Sequence, residues 1–150
     1  MTLIKQELVF LNIEVDASHK EEALPIISQK ISAISGLSAT ELAAGFEQRE
    51  ALSTTGFGSG FAIPHTKITQ GEGLVAFFRF SQPIDWQAMD DSPVSTAIAL
   101  VMPEADDTNL HLKMISKLAR LLMHDEFIDT LNSLTTEAAI RDYLNSKLED

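Results

Sequence analysis

The sequence predicts a single α/β domain over residues 1–150. Three observations carry that expectation. Segments with a strand period and segments with a helical period alternate along the chain. The run Thr96-Ala97-Ile98-Ala99-Leu100-Val101-Met102 has no polar face beyond its first residue, the mark of a strand covered on both sides. No repeat, low-complexity stretch or interdomain linker divides the chain, and 150 residues suffice for one hydrophobic core.

Taken in order, Leu11-Asn12-Ile13-Glu14-Val15 alternates apolar and polar residues, as a half-buried strand does. Ser18 with Glu21 has the spacing of a capping box, opening a helix through Ala23, Ile26, Ile27 and Ile31. Pro25 sits awkwardly there, since proline beyond the first turn removes a hydrogen bond and kinks the helix. Ser38 with Glu41 opens a second helix through Leu42, Phe46 and Arg49. A glycine loop and the dipeptide Pro64-His65 follow. Residues 74–80 read as a strand of aromatic and aliphatic residues. Pro83-Ile84-Asp85-Trp86 begins a connector, with a turn near Asp90-Asp91-Ser92-Pro93. Pro103 closes the apolar strand, and residues 104–108 form a polar loop. Helices over roughly 109–123 and 136–148 finish the chain, with a shorter helical turn at 126–131.

Composition excludes several function classes. The net charge is −11 and no Lys/Arg-rich run occurs, so the basic footprint of a nucleic-acid binder is missing. No segment reaches the about 20 apolar residues of a membrane span. The first residues lack the basic region and apolar stretch of a secretory signal. There are no cysteines, which removes disulfide and thiol chemistry. The expectation is an acidic cytoplasmic protein that does not insert in membranes.

Chemistry concentrates in Leu52-Ser53-Thr54-Thr55-Gly56-Phe57-Gly58-Ser59-Gly60-Phe61-Ala62-Ile63-Pro64-His65-Thr66-Lys67. Glycines admit positive φ and close approach of a ligand to the backbone. Pro64 removes a donor and biases Ile63 toward an extended conformation. The expectation is an imidazole at the end of a strand, beside a loop of free amides suited to an anion. The spacing fits neither a dinucleotide fingerprint nor a P-loop. No histidine pair has zinc-site spacing, and Gly58-Ser59-Gly60 is too short for a nucleophile elbow, so no metal or cofactor is expected.

Of the other histidines, His19 and His124 read as surface residues. His111 continues the helical stripe of Ile115, Leu118 and Leu122 to its N-terminal end. There it is either a core-edge histidine bonded to a carbonyl or a site residue beside anion-favouring amides. For His65, nucleophilic use and general acid–base work both remain. A neutral imidazole nitrogen can attack phosphorus and hold the phosphoryl group as a phosphoramidate. Transfer then needs positioning and charge compensation, for which the loop amides, Arg49 and the 109–111 helix start are candidates.

At these residues the chain resembles the enzyme IIA proteins of the phosphotransferase system, mannitol/fructose class (type 2). The likeness runs nearly the whole length. It rests on Arg49-Glu50-Ala51-Leu52, on Thr55 through His65, on Pro83-Ile84-Asp85-Trp86, on Pro93-Val94, and on the segment from His111 to Leu122. Phe57, Ser59 and Thr66 stand where the family usually has isoleucine, asparagine and glycine. The resemblance implies a mixed β-sheet flanked by α-helices on both faces. It implies that His65 accepts a phosphoryl group from HPr and passes it to an enzyme IIB, and indirectly to a membrane enzyme IIC. His111 then assists by hydrogen bonding, and Arg49 clamps phosphoryl oxygens with its planar fork.

Phe57 and Phe61 flank the loop, either exposed for docking or packed in the core. Two alternatives to sugar transport stand beside it. One is a nitrogen-type regulator using the same phosphohistidine on a partner. The other is a hydrolase or lyase with His65 as general base.

Overall fold

The computed structural model describes residues 4–104 and 110–149, the backbone alone at Leu110 and His111. A 3-10 turn at Gln6–Leu8 leads into β1, Val9–Ile13. Helices α1 (Lys20–Ser35) and α2 (Ala39–Leu52) follow. Three short strands come next: β2 (Gly56–Gly58), β3 (Phe61–Ala62) and β4 (His65–Ile68). Two long strands, β5 (Leu74–Ile84) and β6 (Val94–Pro103), precede helices α3 (Leu110–Leu121), α4 (Asp125–Ser133) and α5 (Glu137–Leu148).

The strands form one mixed six-stranded sheet in the order β1-β5-β6-β3-β2, with β4 also paired to β6. β1–β5, β3–β6 and β4–β6 are parallel, while β5–β6 and β2–β3 are antiparallel. Helices cover both faces, as expected. One apolar cluster joins Ala62, Ile68, Phe78, Ala97 and Ala99 to Leu24, Ile27, Leu42 and Phe46 of α1 and α2. The opposite cluster joins Phe61, Phe77, Ile98 and Leu100 to Leu118, Phe127, Leu131, Ile140 and Leu144 of α3–α5. From Val94 to Met102 only Ser95 of β6 is exposed, which confirms the apolar run as the covered central strand. On α3 the buried stripe is Met114 and Leu118, continued by Leu122 just past its end, with Ile115 half-buried at its border.

Several local expectations shift. Strand β1 begins at Val9 instead of Leu11, and its register against β5 shifts between Phe10 and Ile13, where Asn12 takes φ 57°. Ser18 does not cap α1. Its backbone turns to φ 53° and its carbonyl accepts from Asp85 N–H at 2.8 Å, so His19 becomes the cap residue without a side-chain bond. Helix α1 continues through Pro25. Proline in a helix interior costs about 3 kcal/mol, while burying Leu24, Ile27 and Ile31 returns about 1.5–3 kcal/mol each. Ser38 caps α2 as expected, accepting from Glu41 N–H at 3.1 Å. Pro83 lies inside β5 instead of starting a connector, in an exposed stretch where the ladder to β6 is irregular.

The segment around Pro64 is the most instructive difference. Phe61 pairs with Thr96 and Ala62 with Ala97, then His65 pairs with Leu100 and Thr66 with Val101. The offset is constant, so β3 and β4 are one extended strand interrupted where Pro64 lacks its donor. The Pro64 carbonyl still accepts from Leu100 N–H at 2.9 Å. His65 therefore does not end a strand but begins its second half, held against the central strand.

Candidate functional site

Helix α2 must lie close to β4 for its last turn to reach His65. Gly45 makes that approach, since a Cβ there would fall 1.9 Å from Thr66 Oγ1. A mid-helix glycine costs about 1 kcal/mol of helix propensity, but it seats the helix on the strand. One turn later Arg49 extends over the half-buried His65.

The His65 ring is held at both nitrogens. Nδ1 lies 2.8 Å from the carbonyl of Ile63, and Arg49 donates Nε–H to Nε2 at 2.9 Å. A guanidinium only donates and a carbonyl only accepts. Together these partners assign the tautomer with its proton on Nδ1 and a lone pair on Nε2. Burial, the largest influence, pushes the His65 pKa below its ordinary value. The Ile63 carbonyl opposes it, the Arg49 charge adds to it, and the Glu50 charge opposes it. The imidazole is thus neutral and nucleophilic at neutral pH. The Arg49 guanidinium is fixed a second time, as Nη1 donates to the Ser53 carbonyl at 2.8 Å.

The glycine loop is a small hairpin, and several of its amides are already engaged. Thr55 N–H goes to Glu50 Oε2 at 2.9 Å, Gly56 N–H to Thr54 Oγ1 at 3.1 Å, and Ser59 N–H to Asp90 Oδ2 at 3.0 Å. Ile63 N–H goes to the Thr55 carbonyl at 2.9 Å. Two N–H groups and a hydroxyl in hydrogen-bonding range hold the Asp90 carboxylate at a pKa lowered to about 2, the Ser92 hydroxyl contributing most. The glycines serve the turn itself: Gly58 and Gly60 have φ 118° and 86°, and Gly56 lets Ala88 Cα approach. The charged side chain in contact with His65 is Arg49.

His65 and Arg49 are brought together as expected. The backbone of His111 opens α3, while its side chain and Asn109 lie outside the described residues. His19 and His124 are exposed, as expected. Phe61 is wholly buried and Phe57 half-buried against the α3–α5 cluster, so Phe61 has no docking surface to offer. The exposed apolar residues near the hairpin are instead Leu52, at the end of α2, and Met89, whose N–H bonds the Gly56 carbonyl. Sequence reasoning missed Glu50, which accepts from Thr55 N–H and Oγ–H and from Lys20 Nζ. Its only signal was its place directly after Arg49. Among the described residues no three His, Cys, Asp or Glu side chains converge as metal ligands.

Fold and site together define a small α/β protein built around a neutral histidine contacted by a guanidinium. Residues 2–147 match the family model described as phosphoenolpyruvate-dependent sugar phosphotransferase system, EIIA 2, and the chain belongs to that family. It is therefore a phosphotransferase component. A nitrogen regulatory protein of Bradyrhizobium diazoefficiens is 32% identical over 139 residues, 92% of this chain and 89% of that one. The fructose-specific EIIA component of Haloferax volcanii is 35% identical over 103 residues, 68% of this chain and 66% of that one. The crystal structure of nitrogen regulatory protein IIA-Ntr from Neisseria meningitidis superposes with a TM-score of 0.85 at 28% identity, covering 95% of this chain and 96% of that one. No helix among the described residues is long and apolar enough to cross a membrane.

Proposed function

We propose that His65 takes up a phosphoryl group on Nε2 from phospho-HPr and passes it to an enzyme IIB of a fructose- or mannitol-type transporter. The carrying observation is the ring's anchoring: Nδ1–H donates to the Ile63 carbonyl, leaving the Nε2 lone pair facing Arg49. In the uptake step that lone pair attacks phosphorus. The P–N bond of the donor phosphohistidine breaks, and its electron pair returns to the donor imidazole. Arg49 Nε–H gives up Nε2 and turns to the phosphoryl oxygens, where charge-assisted bonds are strongest. His111 assists from the start of α3. Leu52 and Met89 offer the apolar contact for both protein partners.

Intact-mass spectrometry after mixing with phosphoenolpyruvate, enzyme I and HPr tests this. One acid-labile phosphoryl group is expected, dependent on HPr and absent from His65→Ala. His111→Ala should slow uptake without abolishing it. Uptake by His65→Ala overturns the site, and an unchanged rate in His111→Ala removes that residue from it.

A regulatory role for the same phosphohistidine is favoured by the likeness to two nitrogen regulatory proteins over nine-tenths of the chain. Transfer of the phosphoryl group from the loaded protein to an enzyme IIB supports transport. A stable phosphoprotein that no enzyme IIB discharges supports regulation.

A further inference from the structure

Of the ion pairs among the described residues, one stands apart. His19–Asp85 and Arg141–Asp142 lie at the surface, with side chains 55%/66% and 30%/69% exposed. Lys20 and Glu50 are 12% and 7% exposed, with Nζ 3.1 Å from Oε2. A pair buried this way adds little net stability, because desolvating both charges offsets their attraction. Its place in the fold gives it another purpose.

Glu50 directly follows Arg49, and its carboxylate closes a short turn onto Thr55, accepting both the backbone N–H and the hydroxyl proton. Thr55 Oγ1 in turn accepts from Trp86 Nε1 at 3.1 Å. Inside that closed turn sits Ser53, whose carbonyl is the second anchor of the Arg49 guanidinium. Lys20, the first residue of α1, pins the same carboxylate from outside, while its own backbone N–H bonds the Asp85 carbonyl at 3.3 Å. The chain of contacts runs from Lys20 through Glu50 and Thr55 to the turn that aims Arg49 at Nε2.

We infer that Lys20, Glu50 and Thr55 are positioning residues for Arg49, and that they set the rate at which His65 takes up the phosphoryl group. This rests on reading His65 as the acceptor. The test uses Lys20→Met, Thr55→Val and the conservative Lys20→Arg, each confirmed as folded by its melting curve. The first measurement is the Arg49 Nε–H resonance of the unphosphorylated protein, assigned with Arg49→Lys and independent of any activity. The second is kcat and KM for phosphoryl uptake from phospho-HPr.

Misplacing a catalytic cation by about 1 Å lowers rates up to roughly a hundredfold. Lys20→Met and Thr55→Val should therefore lose roughly tenfold or more in kcat with KM little changed, and their Arg49 line should shift or broaden. Lys20→Arg should restore both. Folded variants with a wild-type Arg49 line and wild-type kcat would overturn the inference and leave the pair a structural one. If Lys20→Met does not fold, Thr55→Val decides, since it removes one oxygen and no charge. If the wild-type protein takes up no phosphoryl group, the proposed function fails, and the Arg49 line alone decides the positioning.

Discussion

Two carboxylates hold the same hairpin from its two ends. Glu50 takes the Thr55 N–H at the root, and Asp90 takes the Ser59 N–H at the tip, at 2.9 and 3.0 Å. The bonds are alike, but the surroundings are not. Glu50 is buried against Lys20, whereas Asp90 is open to solvent with only Ser92 and the hairpin for company. Water can replace whatever Asp90 loses; nothing can replace what Glu50 loses. The root of the hairpin is consequently rigid where it meets Arg49, and the tip is held by a bond that solvent chemistry can undo.

The largest effect should come from Glu50→Ala. It strands a buried ammonium and the two Thr55 donors, and urea unfolding should show a loss of roughly 3–5 kcal/mol. A loss below 1 kcal/mol would mean that water reaches the root as readily as the tip. Gly58→Ala tests the tip itself. At φ 118° an alanine is strained, and its Cβ would press on Asp90 Oδ2 at 3.0 Å, so a cost of about 1–3 kcal/mol is expected.

A smaller effect is expected from His65 below neutrality. Its folded pKa is lowered, so the unfolded chain binds the proton more readily. The stabilisation is complete above the unfolded value of about 6.5 and is lost as pH falls through the folded one. His65→Gln should flatten that part of the stability profile, and an unchanged profile would return the imidazole to an ordinary pKa. Asp90→Asn should have the smallest effect. With the native pKa at about 2, the carboxylate's contribution is present above its unfolded value and is lost as pH falls to about 2. Melting temperatures of the variant and the wild type should differ at neutral pH and converge in that acid range.

Much of this arrangement was legible in the chain. Apolar residues 96–102 could only be a covered strand, and Ser38 with Glu41 marked a helix start that the structure keeps. The Pro-His dipeptide and Arg49, one motif earlier, marked two side chains that the structure brings into contact. What stayed hidden depended on partners remote in sequence. Lys20 and Glu50 are 30 positions apart, and Ser59 and Asp90 are 31, with no periodicity linking either pair. The amides of Thr55 and Ser59 read as free because their acceptors, Glu50 and Asp90, lie outside the glycine motif. Ser18 failed as a cap for the same reason, since Asp85 claims its backbone. Local patterns gave the elements; long-range hydrogen bonds chose how their ends were used.

The contact between Gly45 and Thr66 carries a consequence for how this sequence can vary. The helix bearing the guanidinium rests on the residue beside His65, with room for a hydrogen and not for a methyl group. Positions 45 and 66 thus share one fixed volume, and a side chain may occupy it from either side but not from both. Here the strand holds it, through Thr66. Any enlargement at 45 would act as a lever, lifting the helix end and opening the gap between guanidinium and imidazole. A larger residue at 45 therefore requires a smaller one at 66.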